Sequence, residues 1–216
     1  MIKIIYEDNH ILVVEKPINM PVQEDNSKDK DLLNELKKYI KEKYNKPGNV
    51  YLGLVHRLDR PVGGVMVFAK TSKAANRLTE QIKNNLIKKT YYAVICGNLN
   101  GTGSFEDYLI KDEKKNISYV SKQGKYSKLN YKVINHNDKY TLVNIDLITG
   151  RSHQIRVQFS SRNYPLYGDQ KYNKNAKPKE QIALFAKRLE FIHPVTKDNM
   201  KFEIDLPDIY PWNTFN

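Results

Sequence analysis

Apolar residues recur along the chain at two spacings, and the changes between them outline the elements. Ile2–Tyr6 and Ile11–Glu15 are apolar runs on either side of the polar stretch Glu7–His10, the mark of two short strands joined by a turn. Lys16–Pro17 closes the second, and Pro21–Lys30 is polar and reads as a loop. Leu32, Leu33, Leu36, Tyr39, Ile40 and Tyr44 return with helical spacing, which predicts an amphipathic helix over Asp31–Tyr44. Asn45–Asn49, with Pro47 and Gly48, ends it. Gly64–Lys70 predicts a buried strand. Thr71 or Ser72 then caps a helix that carries Ala75, Leu78 and Ile82 on one face. Thr90–Cys96, rich in aromatic and β-branched residues, predicts another strand.

From Gly101 the pattern turns to short strands and polar turns. Ser104–Leu109, Ile117–Val120, Ser127–Ile134 and Tyr140–Leu147 are the predicted strands. Ser152 is placed to cap a helix over His153–Ser161, with Ile155 and Phe159 on one face. Ile182–Phe191 and Met200–Ile204 predict two strands joined by a turn with Pro194 and Asp198. Strands dominate and do not alternate strictly with helices. The pattern therefore predicts an α+β fold with a mixed, largely antiparallel β-sheet and a few flanking helices, and speaks against a Rossmann-type fold.

At 216 residues the chain suits one domain with a sizeable core, read here as residues 1–216. Its longest apolar runs fall far short of the roughly 18–20 residues that span a bilayer, and Glu7 and Asp8 interrupt the place of a signal peptide's apolar stretch. A single cysteine, Cys96, makes neither an internal disulfide nor a Cys-based metal cluster. These features predict a cytoplasmic protein without membrane attachment. The net charge of +12 points to a polyanion, nucleic acid first. A Lys-rich surface gives the same sign. Arginine is more informative: of seven, Arg57, Arg60, Arg151 and Arg156 fall in two short blocks, and the planar guanidinium suits phosphate and carboxylate.

Three blocks carry candidate chemistry. In His56-Arg57-Leu58-Asp59-Arg60-Pro61-Val62-Gly63-Gly64 a carboxylate lies among cationic neighbours, ahead of a turn and a buried strand. Neighbouring guanidinium groups favour the charged form of a carboxylate, which can then act as a nucleophile or steady an oxocarbenium-like centre. An Asp–Arg pair on a surface loop would use the same residues. In Leu147–Val157 (LITGRSHQIRV) a strand runs through a Gly turn into a helix. The helix start can hold an anion, and Arg151 and Arg156 are within reach of a phosphate or carboxylate, although solvated charges fit as well. In Lys89–Gly97 (KTYYAVICG), Tyr91 and Tyr92 face opposite sides of a strand, so one can pack in the core while the other stacks on a base. Two structural tyrosines remain open. The five histidines show no metal-ligand spacing, and no Gly-rich dinucleotide or phosphate loop is present, so neither metal nor cofactor is expected.

Taken together, these blocks resemble the RluA family of RNA pseudouridine synthases over nearly the whole chain. YEDNHILVVEKPINMPVQ (Tyr6–Gln23) looks like the opening block and HRLDRPVGG the catalytic block, with Asp59 at the essential carboxylate. KTYYAVICG places the family's active-site tyrosine at Tyr91. LITGRSHQIRV places at Arg156 the arginine that pairs with the catalytic Asp. PLYGDQKY (Pro165–Tyr172) and HPVTKDNMKFEIDLP (His193–Pro207) resemble the closing blocks. Val62-Gly63-Gly64 departs from the T-S-G or V-S-G common in the family, removing a hydroxyl at Gly63.

The resemblance implies a central RNA-binding cleft and conversion of uridine in rRNA or tRNA to pseudouridine without a cofactor. His56, Arg57, Arg60, Arg151, His153, Gln154 and Ile155 would line the RNA. The chain is expected to be a monomer with no obligate protein partner and no S4 domain. A catalytically silent RNA-binding or ribosome-assembly protein of the same fold is the alternative. Glycoside hydrolysis generally needs two carboxylates, whereas an isomerisation that consumes no water can use one.

Overall fold

The computed structural model describes residues 2–215 and contains eleven strands, three α-helices and a terminal 3₁₀ turn, Trp212–Phe215, among them. It forms two compact units. The first comprises Met1–Ile87 and Arg188–Ile204, the second Lys88–Lys187 and Asp205–Asn216. All strand pairs within each unit described below are antiparallel, as the α+β reading expects. No helix among the described residues is long and apolar enough to cross a membrane.

In the first unit, β1 (Lys3–Glu7) and β2 (Ile11–Lys16) form a hairpin. Its turn is set by Asp8, whose Oδ1 accepts the N–H groups of His10 and Ile11 at 2.7 Å each. β2 pairs with β4 (Gly63–Ala69), and the two-residue β3 (Gly53–Leu54) also pairs with β4. Every residue of β4 is buried, which explains why its sequence is an unbroken apolar run. Helix α1 (Leu32–Lys43) starts at Asp31, whose carboxylate accepts the Asn34 N–H at 3.0 Å; Leu32, Leu36 and Ile40 are its buried stripe. Helix α2 (Ser72–Lys83) is capped by Thr71 and packs on β3 and β4. β10 (Leu184–Ile192) pairs through Arg188–Ile192 with β11 (Asn199–Glu203).

Glu7 ties the far end of α1 to the hairpin. It accepts from Tyr39, Lys43, Tyr44 and Lys70 at 2.7–3.0 Å. Burial works to raise its pKa, but these four donors outweigh it and bring the carboxyl down to about 2.

In the second unit, β5 (Lys88–Cys96) pairs with β9 (Tyr140–Leu147), β9 with β8 (Lys125–His136), β8 with β6 (Thr102–Asp112), and β6 with β7 (Ile117–Val120). Helix α3 (Gln154–Ser160) packs on β6 and β7. Its core is built from Val94, Ile95, Leu129, Val143, Ile145, Phe159 and Leu166, all fully buried.

Two differences from the sequence reading bear on the site. α3 begins at Gln154, and the residue before it is His153 in the left-handed conformation at φ 52°, with no side-chain cap from Ser152. At seven residues α3 is also shorter than the helix expected over 153–161.

Candidate active site

In the first unit, the loop between β3 and β4 carries His56, Arg57, Asp59 and Arg60. Leu58 and Val62 are 7% and 2% exposed and anchor the loop, while Arg57 and Arg60 point to solvent and Asp59 is half-buried. The Val62 N–H donates to the Asp59 carbonyl at 2.9 Å, closing a tight turn through Pro61. The Val67 N–H donates to His56 Nε2 at 3.1 Å, which fixes the imidazole against the body of β4 and makes that nitrogen an acceptor.

Beneath the loop lies Lys16, 1% exposed at the end of β2. Its Nζ donates to the carbonyls of Pro17, Arg60 and Val62 at 2.9, 3.0 and 2.8 Å. Three acceptors match the three N–H bonds of an ammonium. Burial pulls its pKa down to about 7; the Asp59 carboxylate works the other way, and Arg60 adds to the depression. Lys16 thus holds the carbonyls of Arg60 and Val62 in the turn and sets a buried, titratable amine in the field of Asp59. Sequence reading passed over it, because the carbonyls of Arg60 and Val62 lie more than forty residues along the chain.

Both exposed arginines have partners in the loop before α1. Arg57 Nε and Nη2 donate to Gln23 Oε1 at 3.2 and 2.9 Å. Arg60 donates to Ser27 Oγ at 3.0 Å and to the Asp29 carboxylate, and its Nη1 is 3.7 Å from Asp25.

The second unit holds Tyr91, Arg151, His153, Gln154, Ile155 and Arg156. Tyr91, on β5, is 8% exposed and pairs across the ladder with Ile145, while Tyr92 on the opposite face is half-buried. Arg156 is 4% exposed and forms a two-pronged ion pair with Asp169, Nε to Oδ2 at 2.9 Å and Nη2 to Oδ1 at 2.6 Å. Its guanidinium also lies 5.1 Å from the centre of the Tyr172 ring. The Tyr172 hydroxyl meets His153 Nδ1 at 2.7 Å and accepts the Ser118 N–H at 2.6 Å. The HQIR and GDQKY segments therefore form one polar network.

Asp169 is fully buried and holds Arg156. Its loop requires Gly168 at φ +66°, where a Cβ would collide with the Gln181 carbonyl. A readable signal existed: a buried arginine needs a planar anionic partner. Arg151 is exposed and donates from Nε to the Tyr126 carbonyl at 3.0 Å.

Gln154 and Ile155, expected along the RNA, are 2% and 4% exposed. The Gln154 amide is committed internally: Oε1 accepts from Thr149 and Arg151, and Nε2 donates to the Lys128 carbonyl and Gln158. Its role here is to brace the turn that presents Arg151. Lys89 is a further residue that sequence reading missed. Burial lowers its pKa, and a Cβ on Gly150 would come within 3.3 Å of its Nζ. Among the described residues no three His, Cys, Asp or Glu side chains form a metal-binding group.

Residues 10–161 match the family model described as RNA pseudouridylate synthase. The chain is 34% identical over 221 residues to ribosomal large subunit pseudouridine synthase D of Yersinia pestis, covering 95% of this chain and 67% of that protein. It is 34% identical over 219 residues to ribosomal large subunit pseudouridine synthase C of Buchnera aphidicola subsp. Baizongia pistaciae, covering 96% and 68%. It is 35% identical over 231 residues to an uncharacterized RNA pseudouridine synthase of Aquifex aeolicus, covering 98% and 72%. Its fold is similar to that of human RNA pseudouridylate synthase domain containing 4, with a TM-score of 0.79 at 23% identity, covering 95% of this chain and 88% of that one.

Proposed function

Because the chain belongs to the RluA family of RNA pseudouridine synthases, isomerases that act on RNA, we propose that it converts uridine in rRNA or tRNA to pseudouridine, with Asp59 as the catalytic carboxylate. The observation that carries this reading is the clamped loop of the first unit. A half-buried carboxylate stands on a tight turn, over a buried lysine and between two exposed arginines. Such a turn holds one carboxylate in a fixed place, which is what attack on C1′ or removal of a ribose proton requires.

In the proposed reaction the N1–C1′ bond breaks, the uracil turns, and C5 bonds to C1′. The proton on C5 leaves and N1 gains one, so no other reactant is consumed. The target nucleotide leaves its stack at a cost of a few kcal/mol. Stacking on Tyr91, about 1–3 kcal/mol per base, and phosphate contacts from the basic surface offset that cost. Arg57 and Arg60 beside the carboxylate, and Arg151 and His153 on the second unit, are the RNA-contacting candidates. Arg156 keeps the role that the family pattern assigns to it. The relatives named large subunit synthases support rRNA as substrate. We read residues 1–216 as the catalytic domain, acting as a cytoplasmic monomer without a cofactor.

Tritium release from rRNA and tRNA transcripts labelled at uridine C5 tests the proposal. Release from one class, without free uracil, is the expected result. Tight RNA binding with no release from either class, or from RNA of cells lacking the protein, would favour the silent binding protein instead.

A further inference from the structure

The segment before α1 has a construction that the proposed reaction does not use. The Leu32 and Leu33 N–H groups donate to the carbonyls of Pro21 and Val22 at 2.9 and 3.0 Å, pinching residues 23–30 into a closed loop. Pro21, Val22 and Leu32 at its base are buried, whereas residues 23–30 are all exposed and include no apolar side chain. Burial of apolar surface therefore does not hold the middle of the loop, and its partners there are polar.

Those partners are the two arginines that flank Asp59 in the sequence. Gln23 takes Arg57, and Asp25, Ser27 and Asp29 gather around Arg60. The loop is shaped for this. Ser27 donates from both N and Oγ to Asp25 Oδ1, at 2.9 and 2.5 Å, and the Asp29 N–H donates to Ser27 Oγ at 3.2 Å. Lys28 sits at φ 59°, so the chain reverses between the acids. Two carboxylates and a hydroxyl thus surround a guanidinium much as the oxygens of a phosphate would. In a chain of net charge +12, acids placed on this arginine run against the overall field.

We propose that residues 23–30 form a strap that competes with RNA from within the chain: Asp25, Ser27 and Asp29 stand in for a phosphate at Arg60, and RNA has to displace them. The proposal rests on the reading of this chain as an RNA-modifying enzyme and adds a contact that limits its grip on RNA. Exposed ion pairs are individually weak and screened by salt, so the strap is easily lifted by a ligand with several phosphates and holds against one with few.

The test compares RNA affinity of the full chain with that of Asp25→Asn/Asp29→Asn. Glu42→Gln/Glu80→Gln, which removes two exposed helix carboxylates, controls for net charge. The strap variant is expected to bind a uridine-containing transcript roughly three- to tenfold tighter than the control, the range that two exposed ion pairs can oppose. Its log affinity should also fall more steeply with log salt, because salt weakens the strap's ion pairs in the control and so offsets there part of the loss of phosphate binding. In an Arg60→Gln background the advantage over the control should disappear. A strap variant that matches the control, or keeps its advantage without Arg60, overturns the proposal. Wild-type protein that neither binds nor modifies RNA would instead overturn the functional reading, a result separable from the first.

Discussion

Lys16 offers a quantitative test of how the Asp59 turn is held. Replacing it by Met keeps a long unbranched side chain in the 1%-exposed position but removes the ammonium and its three carbonyl contacts. The folded pKa of Lys16 is about 7, against 10.5 for the free side chain. Between those values the unfolded chain carries the proton more fully than the folded one. The contribution of Lys16 therefore rises with pH across this window and is flat below it. The limiting slope is about 1.4 kcal/mol per pH unit, so wild type should gain roughly 3 kcal/mol on Lys16→Met between about pH 7.5 and 10. Urea unfolding of both proteins at half-unit pH steps measures the difference directly, and groups common to both cancel. A gap that stays constant from pH 7 to 10 would refute the assignment of Lys16 as a buried cation depressed by its surroundings.

Two further outcomes follow from the buried charges. Asp169→Asn removes the buried carboxylate that grips Arg156 with both oxygens, a loss of about 3–5 kcal/mol for a buried pair; at about 2–4 °C per kcal/mol for a chain of this size, Tm should fall by about 6–20 °C. A calorimetric shift under about 2 °C would show that the pair does not support the second unit. Glu7 is held near 2 against 4.5 when free, so its contribution is present above pH 4.5 and is lost as pH falls toward 2. Glu7→Gln should remove at most about 3 kcal/mol at neutral pH and flatten acid unfolding in that window. Parallel acid transitions for the two proteins would contradict it.

Much of the architecture is legible where burial writes a strong pattern. Ile117–Val120 and Tyr140–Leu147 have the predicted bounds, and the helix over 31–44 differs only at its ends, where Asp31 is the cap. β6 and β8 run longer than their apolar cores suggest, to Thr102–Asp112 and Lys125–His136. The added residues are mostly polar or exposed and are held by backbone pairing, which leaves little hydrophobic signature. β3 has two residues and shows no period at all.

The same contrast governs the site. Asp59 and its arginines stand out because their charges adjoin in sequence. Lys16 does not, since the carbonyls it holds come from a distant segment, and Asp169, thirteen residues from Arg156, is picked out only by the need of that arginine for an anionic partner. The polar stretch 23–30 reads as a loop, but its attachment to Arg57 and Arg60 depends on tertiary placement.

The central claim is that Asp59 carries the isomerisation. Asp59→Asn preserves the shape of the side chain and removes its negative charge. Assayed with C5-tritiated RNA beside wild type, it should release no tritium while keeping RNA affinity within a fewfold of wild type, because no phosphate contact is lost. Release at the wild-type rate by Asp59→Asn would contradict the account.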